Sequence, residues 1–152
     1  MAFTVFSSAF AEGGWIPELH TCQRADISPS IEWMGEPPQT RSYALIVDDP
    51  DAPGGVWTHW LLYDIPPGTH TLAQGYRTAG VVLSGANDFG SQGYGGPCPP
   101  RGHGPHRYFF KLYALDTRTL GLPAGVKAGE LERALQGHVL AEAGYMGRFE
   151  RR

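Results

Sequence analysis

The segment HRYFFKLYAL, residues 106–115, is the stretch that decides the fold class. Side chains along a β-strand point alternately to opposite faces. One face of this segment becomes steadily more apolar toward its end, and it consists of His106, Tyr108, Phe110, Leu112 and Ala114. The pattern predicts a strand with its apolar face against the core, and with a histidine and a tyrosine at the end of that face.

Other β-rich runs lie between turns rich in glycine and proline, of which the chain has 21 and 13. They predict further strands at residues 1–10, 32–34, 42–47, 56–65, 81–83, 138–140 and 145–149. One helix is predicted at residues 127–137, because Leu131 and Leu135 are four residues apart and Gly137 follows them. We therefore expect a single, mostly antiparallel β domain over residues 1–152, with a helix near its C-terminus.

Charge and composition exclude several functional classes. The net charge is −3 and no block of basic residues is present, so no nucleic-acid partner is predicted. No apolar run approaches the ~20 residues of a membrane span. The start of the chain lacks the basic and apolar regions of a signal peptide, which predicts a cytoplasmic protein. In that compartment Cys22 and Cys98 are expected to be reduced.

Polar residues at the ends of apolar strands outline a candidate site. Asp49 follows the strand at 42–47, and His59 comes at the start of the strand at 56–65. The loop between them is short enough for an antiparallel hairpin, which would bring the two side chains close together. Strict alternation would place His59 on the same face as Leu61 and Tyr63.

The same residues have alternative explanations. A buried histidine can be a hydrogen-bonded core residue, and Asp before Pro is common turn chemistry. A metal site built from Asp49, His59, His103 and His106 is weakly indicated, because the His103–His106 pair straddles a proline and is not a helical ligand pair. No Gly-x-Ser-x-Gly motif points to a serine hydrolase. A ligand-binding module with no metal or cofactor is favoured over a hydrolase or metal-dependent enzyme.

Three segments together have a specific pattern: DDPDAP at 48–53, VWTHWLLYDIP at 56–66 and GGPCPPRGHGPHRYFFKLYALD at 95–116. They resemble the bacterial branch of the phosphatidylethanolamine-binding protein family, which is the family of Raf kinase inhibitor protein. NDFG at 87–90 and GHVLAEAGYMGRFER at 137–151 are also similar to that branch. The likeness covers nearly the whole chain.

This resemblance implies an antiparallel β-sandwich with a small helical part. It also implies a pocket for an anion such as phosphate or a phosphorylated head group, a homodimer, and a regulatory role toward an unidentified protein partner. The loop before residue 106 would be a rigid rim, with Gly96 allowing it to approach the ligand. The ligand-binding residues that the resemblance implies are Asp49, His59, Gly96, Pro100, His106 and Tyr108.

Overall fold

The computed structural model describes residues 2–152, so Met1, part of the first predicted strand, lies outside the described residues. Eight strands are formed in this part of the chain: β1 Thr4–Phe6, β2 Ile31–Met34, β3 Ser42–Asp49, β4 Trp57–Ile65, β5 Thr71–Leu72, β6 Leu83–Ser84, β7 His106–Leu115 and β8 Val139–Phe149. A 3₁₀ turn covers Glu18–His20, and the helix α1 covers Ala128–Leu135. The mostly β prediction with a helix near the C-terminus is confirmed.

Within residues 2–152 the strands form two antiparallel sheets. One has five strands in the order β6-β4-β3-β7-β8, and the other has three in the order β1-β2-β5. Apolar side chains of both sheets pack together between them, for example Trp33 of β2 with Tyr43 of β3. Leu131 and Leu135 of α1 cover the opposite face of the larger sheet. Because both of its faces are covered, every residue of β3 is buried.

The longest strand pair joins β7 to β8 along its whole length, from His106 opposite Phe149 to Leu115 opposite Val139. The bounds predicted for β7 are confirmed, whereas the two short strands predicted at 138–140 and 145–149 are one continuous strand. Gly144, which lies between the two predicted strands, is accommodated within the ladder opposite Lys111. Within residues 2–152, no helix has the length and hydrophobicity needed to cross a bilayer.

A β-bulge in β4 changes the face on which His59 lies. Val47 is opposite Trp60 while the next residue of β3, Asp48, is opposite Thr58, so His59 is an extra residue in β4. Its ring lies 5.2 Å from the ring of Tyr108, on the side of the core between the sheets. The predicted shared face with Leu61 and Tyr63 is therefore wrong, because strict alternation holds only in a regular ladder.

The two cysteines form a disulfide, so the prediction that both are reduced is wrong. The loop that carries Cys98 packs directly on the segment after the 3₁₀ turn. The Cys22 amide donates to the Pro97 carbonyl at 3.1 Å, and the Tyr94 hydroxyl donates to the His20 carbonyl at 2.6 Å. These contacts leave the two Cα atoms 5.4 Å apart, a normal disulfide separation. The reduced state was predicted from the expected compartment, and no local sequence pattern indicates that these two loops come together.

Candidate functional site

A cavity of about 180 Å³ lies where β3 ends and where β4 and β7 begin. These three ends meet at one edge of the sheet because neighbouring strands are antiparallel. Five of the six predicted site residues line this cavity. The complete lining consists of Asp49, Ala52, Pro53, Trp57, His59, Phe89, Cys98, Pro99, Pro100, His106 and Tyr108.

Gly96 is the predicted site residue that does not line the cavity. A Cβ atom at this position would overlap the carbonyl oxygen of His20 and the carboxylate of Asp26. Its amide donates a hydrogen bond to Asp26 Oδ1 at 2.9 Å. Because glycine has no side chain, the rim loop before residue 106 can approach the neighbouring loop that carries Asp26. Gly96 does not serve an approach to the space where a ligand would lie.

Asp49, His106 and His103 form a hydrogen-bonded chain from the buried floor of the cavity to solvent. His106 Nδ1 donates to Asp49 Oδ2 at 2.6 Å, because a carboxylate can only accept. His106 Nε2 lies 2.6 Å from Nδ1 of the exposed His103. The other oxygen of Asp49 accepts the amide of Asp51 at 2.7 Å. Both ring nitrogens of His106 are therefore engaged by the protein.

His59 has one ring nitrogen that is bound and one that is free. Its Nδ1 donates to the carbonyl of Gly95 at 2.7 Å, whereas Nε2 makes no hydrogen bond to the described residues. Burial lowers the pKa of His59, although the Gly95 carbonyl and the nearby Asp49 carboxylate act in the opposite direction. In the neutral ring Nδ1 carries the proton, so Nε2 is a hydrogen-bond acceptor.

Tyr108 lines the cavity, and its hydroxyl group has no partner. The residue is 1% exposed, and the hydroxyl oxygen makes no hydrogen bond to the described residues. Burial, together with the carboxylates of Asp49 and Asp51, raises the pKa of Tyr108, so the hydroxyl keeps its proton. A buried hydroxyl in this state is costly unless a ligand or a water molecule pairs with it.

Two aromatic side chains that the sequence analysis missed form part of the cavity wall. Trp57 and Phe89 meet edge to face with their ring centroids 5.4 Å apart, and Phe89 contacts the ring of His59 in the same way. Asn87 organises the loop of Phe89, since its side-chain oxygen accepts the amides of Phe89 and Ser91. The available signals were the family-like segments themselves, NDFG for Phe89 and VWTHWLLYDIP for Trp57.

The electrostatics of the cavity are unusual for an anion site. Among the described residues that line it there is no lysine or arginine, and Asp49 is a carboxylate on its floor. Arg107, which does not line the cavity, donates two side-chain hydrogen bonds to Asp51, and these lower the pKa of Asp51 to about 2. Within residues 2–152 no group of three or more His, Cys, Asp or Glu side chains is placed to hold a metal ion.

Comparison with known proteins gives consistent matches over almost the whole chain. The family model described as phosphatidylethanolamine-binding protein matches residues 6–150. A UPF0098 protein of Aquifex aeolicus is 49% identical over 150 residues, which are 97% of this chain and 88% of that protein.

Two solved structures are similar in fold and sequence. One is a phosphatidylethanolamine-binding protein homologue, CT736, from Chlamydia trachomatis, with a TM-score of 0.91, 38% identity and 99% of both chains covered. The other is YbcL of E. coli, described as a member of the mammalian family, with a TM-score of 0.93, 32% identity and full coverage of both chains.

Proposed function

Because this chain belongs to the phosphatidylethanolamine-binding protein family, and is thus a small ligand-binding domain, we propose that its cavity binds a small anion such as phosphate or a phosphorylated head group. The observation that carries the proposal is that two residues of the lining each have a polar group without a hydrogen-bond partner, the Tyr108 hydroxyl and His59 Nε2. Apolar side chains make up much of the remaining lining, and a hydrogen bond to a charged ligand is strong in such surroundings.

The size of the cavity limits what it can enclose. At about 180 Å³ it is smaller than the ~300–1,000 Å³ of pockets that enclose a drug-sized ligand. It fits a phosphate-sized group with a short substituent, while the exposed rings of Trp57 and Phe89 would contact whatever extends outward. The ligand of this site is therefore a head group, and the remainder of a larger molecule would lie outside.

The test is calorimetric titration with phenyl phosphate. Ala52→Phe fills the cavity without removing a polar group, and we expect it to abolish binding while the melting temperature stays near that of the wild type. Ala124→Phe, at an exposed position outside the lining, is the matched control and should bind as the wild type does. Equal affinity in all three proteins would contradict the proposed site.

We also propose a homodimer. The strand β8 is at the edge of the larger sheet, and Val139 and Leu140 at its start are 41% and 39% exposed. Exposed edges with apolar side chains favour pairing with another chain. Light scattering after size exclusion should give twice the mass of 16.5 kDa. A monomer mass at high protein concentration would contradict this proposal.

The regulated protein partner and the cytoplasmic location stay predictions. The Cys22–Cys98 disulfide counts against a reducing compartment, where such bonds are rare. No observation on the described residues favours the hydrolase or metal-dependent alternative, since the sulfur of Cys98 in the cavity wall is bonded and no metal-binding group of side chains is formed. Ligand binding therefore remains the proposal.

A further inference from the structure

The hydrogen-bonding groups of the cavity do not match a fully deprotonated anion. Such a ligand offers only acceptors. Apart from the indole N–H of Trp57, a residue that is 36% exposed, the side chains that line the cavity offer it one donor, the Tyr108 hydroxyl, beside two acceptors, the carboxylate of Asp49 and the unprotonated Nε2 of His59. His106 adds no donor, because both of its nitrogens are engaged. An acceptor of the cavity would therefore meet an acceptor of the ligand, and one additional proton is needed to join them by a hydrogen bond.

We propose that the cavity binds an oxyanion together with one proton, which is held between His59 Nε2 and an oxygen of the ligand. This inference rests on the proposed function. A proton at this place converts His59 from an acceptor into a donor and brings the positive charge that the lining lacks. The bound anion then contacts two donors, at His59 and at Tyr108, and its charge is balanced beside Asp49.

Burial lowers the pKa of His59 in the free protein, but the charged groups around its ring favour a proton there once an anion is bound. Gly95 O fixes the proton on Nδ1, so an added proton can only go to Nε2. The charged groups that act on the ring are Asp48 and Asp49 from β3 and Asp26 from a loop, and all three favour a cationic ring. From β7 the ring of Tyr108 contacts the ring of His59, and the hydroxyl of Tyr108 is uncharged. The Phe89 ring adds no charge.

The chain of His106 and His103 is a less suitable place for this proton. The hydrogen bond between the two rings requires that one of its two nitrogens be unprotonated. A proton on His106 Nε2 would be held in the hydrogen bond to His103, which is exposed and does not line the cavity. It would therefore not be available to the ligand.

This arrangement also favours one ligand class. A phosphate monoester has its second pKa near ~6, so it can share the required proton with His59. A phosphodiester or a sulfate ester carries a permanent charge and no ionisable proton, so the protein alone must supply the protonated site. We therefore expect monoesters to bind more tightly than diesters of similar size at neutral pH.

The experiment uses phenyl sulfate, because any proton taken up with it must reside on the protein. Its dissociation constant is measured by calorimetry from about pH 5 to about pH 8.5, in two buffers of different ionisation enthalpy. Above the pKa of His59 we expect the affinity to fall about tenfold for each pH unit, with about one proton taken up per bound anion. Phenyl phosphate is titrated in parallel.

Variants assign the proton to a residue. His59→Gln should bind weakly and without the pH dependence. His138→Gln is the matched control, because His138 pairs with Asp116 away from the cavity, and it should keep the wild-type slope. If His103→Gln removes the slope and His59→Gln keeps it, the assignment to His59 is wrong. NMR of the histidine rings in the complex of the wild type with phenyl sulfate gives an independent check. A neutral His59 in that complex would also show that the assignment is wrong.

The outcomes separate this inference from the proposed function. If phenyl sulfate binds equally at every pH with no proton uptake, the proton-linked mechanism is wrong and anion binding stands. If neither phenyl sulfate nor phenyl phosphate binds at any pH, both proposals are wrong.

Discussion

At the residue scale, removal of the Tyr108 hydroxyl is predicted to affect ligand affinity and protein stability differently. Tyr108→Phe should weaken phenyl phosphate binding about ten- to hundredfold, because a hydrogen bond to a charged group contributes about 1.5–3 kcal/mol. The free energy of unfolding should stay constant or rise, since the hydroxyl is buried and unpaired in the free protein. Calorimetric titration and denaturant unfolding measure the two quantities.

Tyr145→Phe is the control for this substitution. The Tyr145 hydroxyl donates to the carbonyl of Phe10, away from the cavity, so its loss should lower stability by about 1 kcal/mol and leave the affinity unchanged. Reduced stability with unchanged affinity in Tyr108→Phe would mean that Tyr108 has a structural role and no contact with the ligand.

The lowered pKa of His59 predicts how the stability of the free protein depends on pH. Burial lowers its pKa in the folded state below the ordinary value of 6.5, so the unfolded chain binds the proton more tightly. Its contribution to stability is present in full above about pH 6.5, and it is lost as the pH falls through the folded pKa. Urea unfolding of the wild type and of His59→Gln at a series of pH values should show a shallower decline in the variant. Parallel curves would contradict the lowered pKa.

Asp49, His59, His106 and Tyr108 could be brought together from the sequence because each lies near the end of an apolar strand, whereas Pro100 was implied by the family resemblance alone. Which atoms stay free could not be predicted from the sequence. The engagement of both His106 nitrogens depends on the position of His103, three residues away across a glycine and a proline. The acceptor role of His59 Nε2 depends on a carbonyl 36 residues away.

At the element scale, the close approach of the rim loop to the segment after the 3₁₀ turn requires glycine at position 96. Gly96→Ala should destabilise the protein by about 1–3 kcal/mol, because the added methyl group would overlap backbone and carboxylate atoms that are held by other contacts. Gly54→Ala is the matched control, since its methyl group would meet no atom within 4 Å and its φ is ordinary. Similar unfolding curves for both variants would show that the loop contact contributes little.

The regular strands were the elements most easily predicted from the sequence. The irregularities within the strands were the hardest features to predict. The alternation in β7 is regular, so its bounds and its buried face follow from the sequence. The face on which His59 lies does not follow from the sequence. It depends on a bulge that arises from the pairing of β4 with β3, and no local pattern encodes the position of that bulge. The two-residue strand β5 was missed for a similar reason, since it exists only through its pairing with β2.

At the scale of the whole molecule, the Cys22–Cys98 disulfide closes a span of 76 residues that contains β2 to β6. The bond restricts the unfolded chain, so its reduction should lower the free energy of unfolding by about 2–4 kcal/mol. Reduction should also weaken ligand binding, because Cys98 lines the cavity and its loop supplies Gly95, the hydrogen-bond partner of His59. The measurement compares wild-type unfolding and phenyl phosphate affinity with and without a thiol reductant.

A double Cys22→Ser, Cys98→Ser variant distinguishes the disulfide from side effects of the reductant. It should resemble the reduced wild type and should not respond to the thiol. The remaining contacts of the loop, which join Tyr94 to His20 and Gly96 to Asp26, should keep it near its place, so that binding is weakened and not abolished. If reduction changes neither stability nor affinity, those hydrogen bonds alone fix the rim, and the disulfide adds no constraint to the cavity.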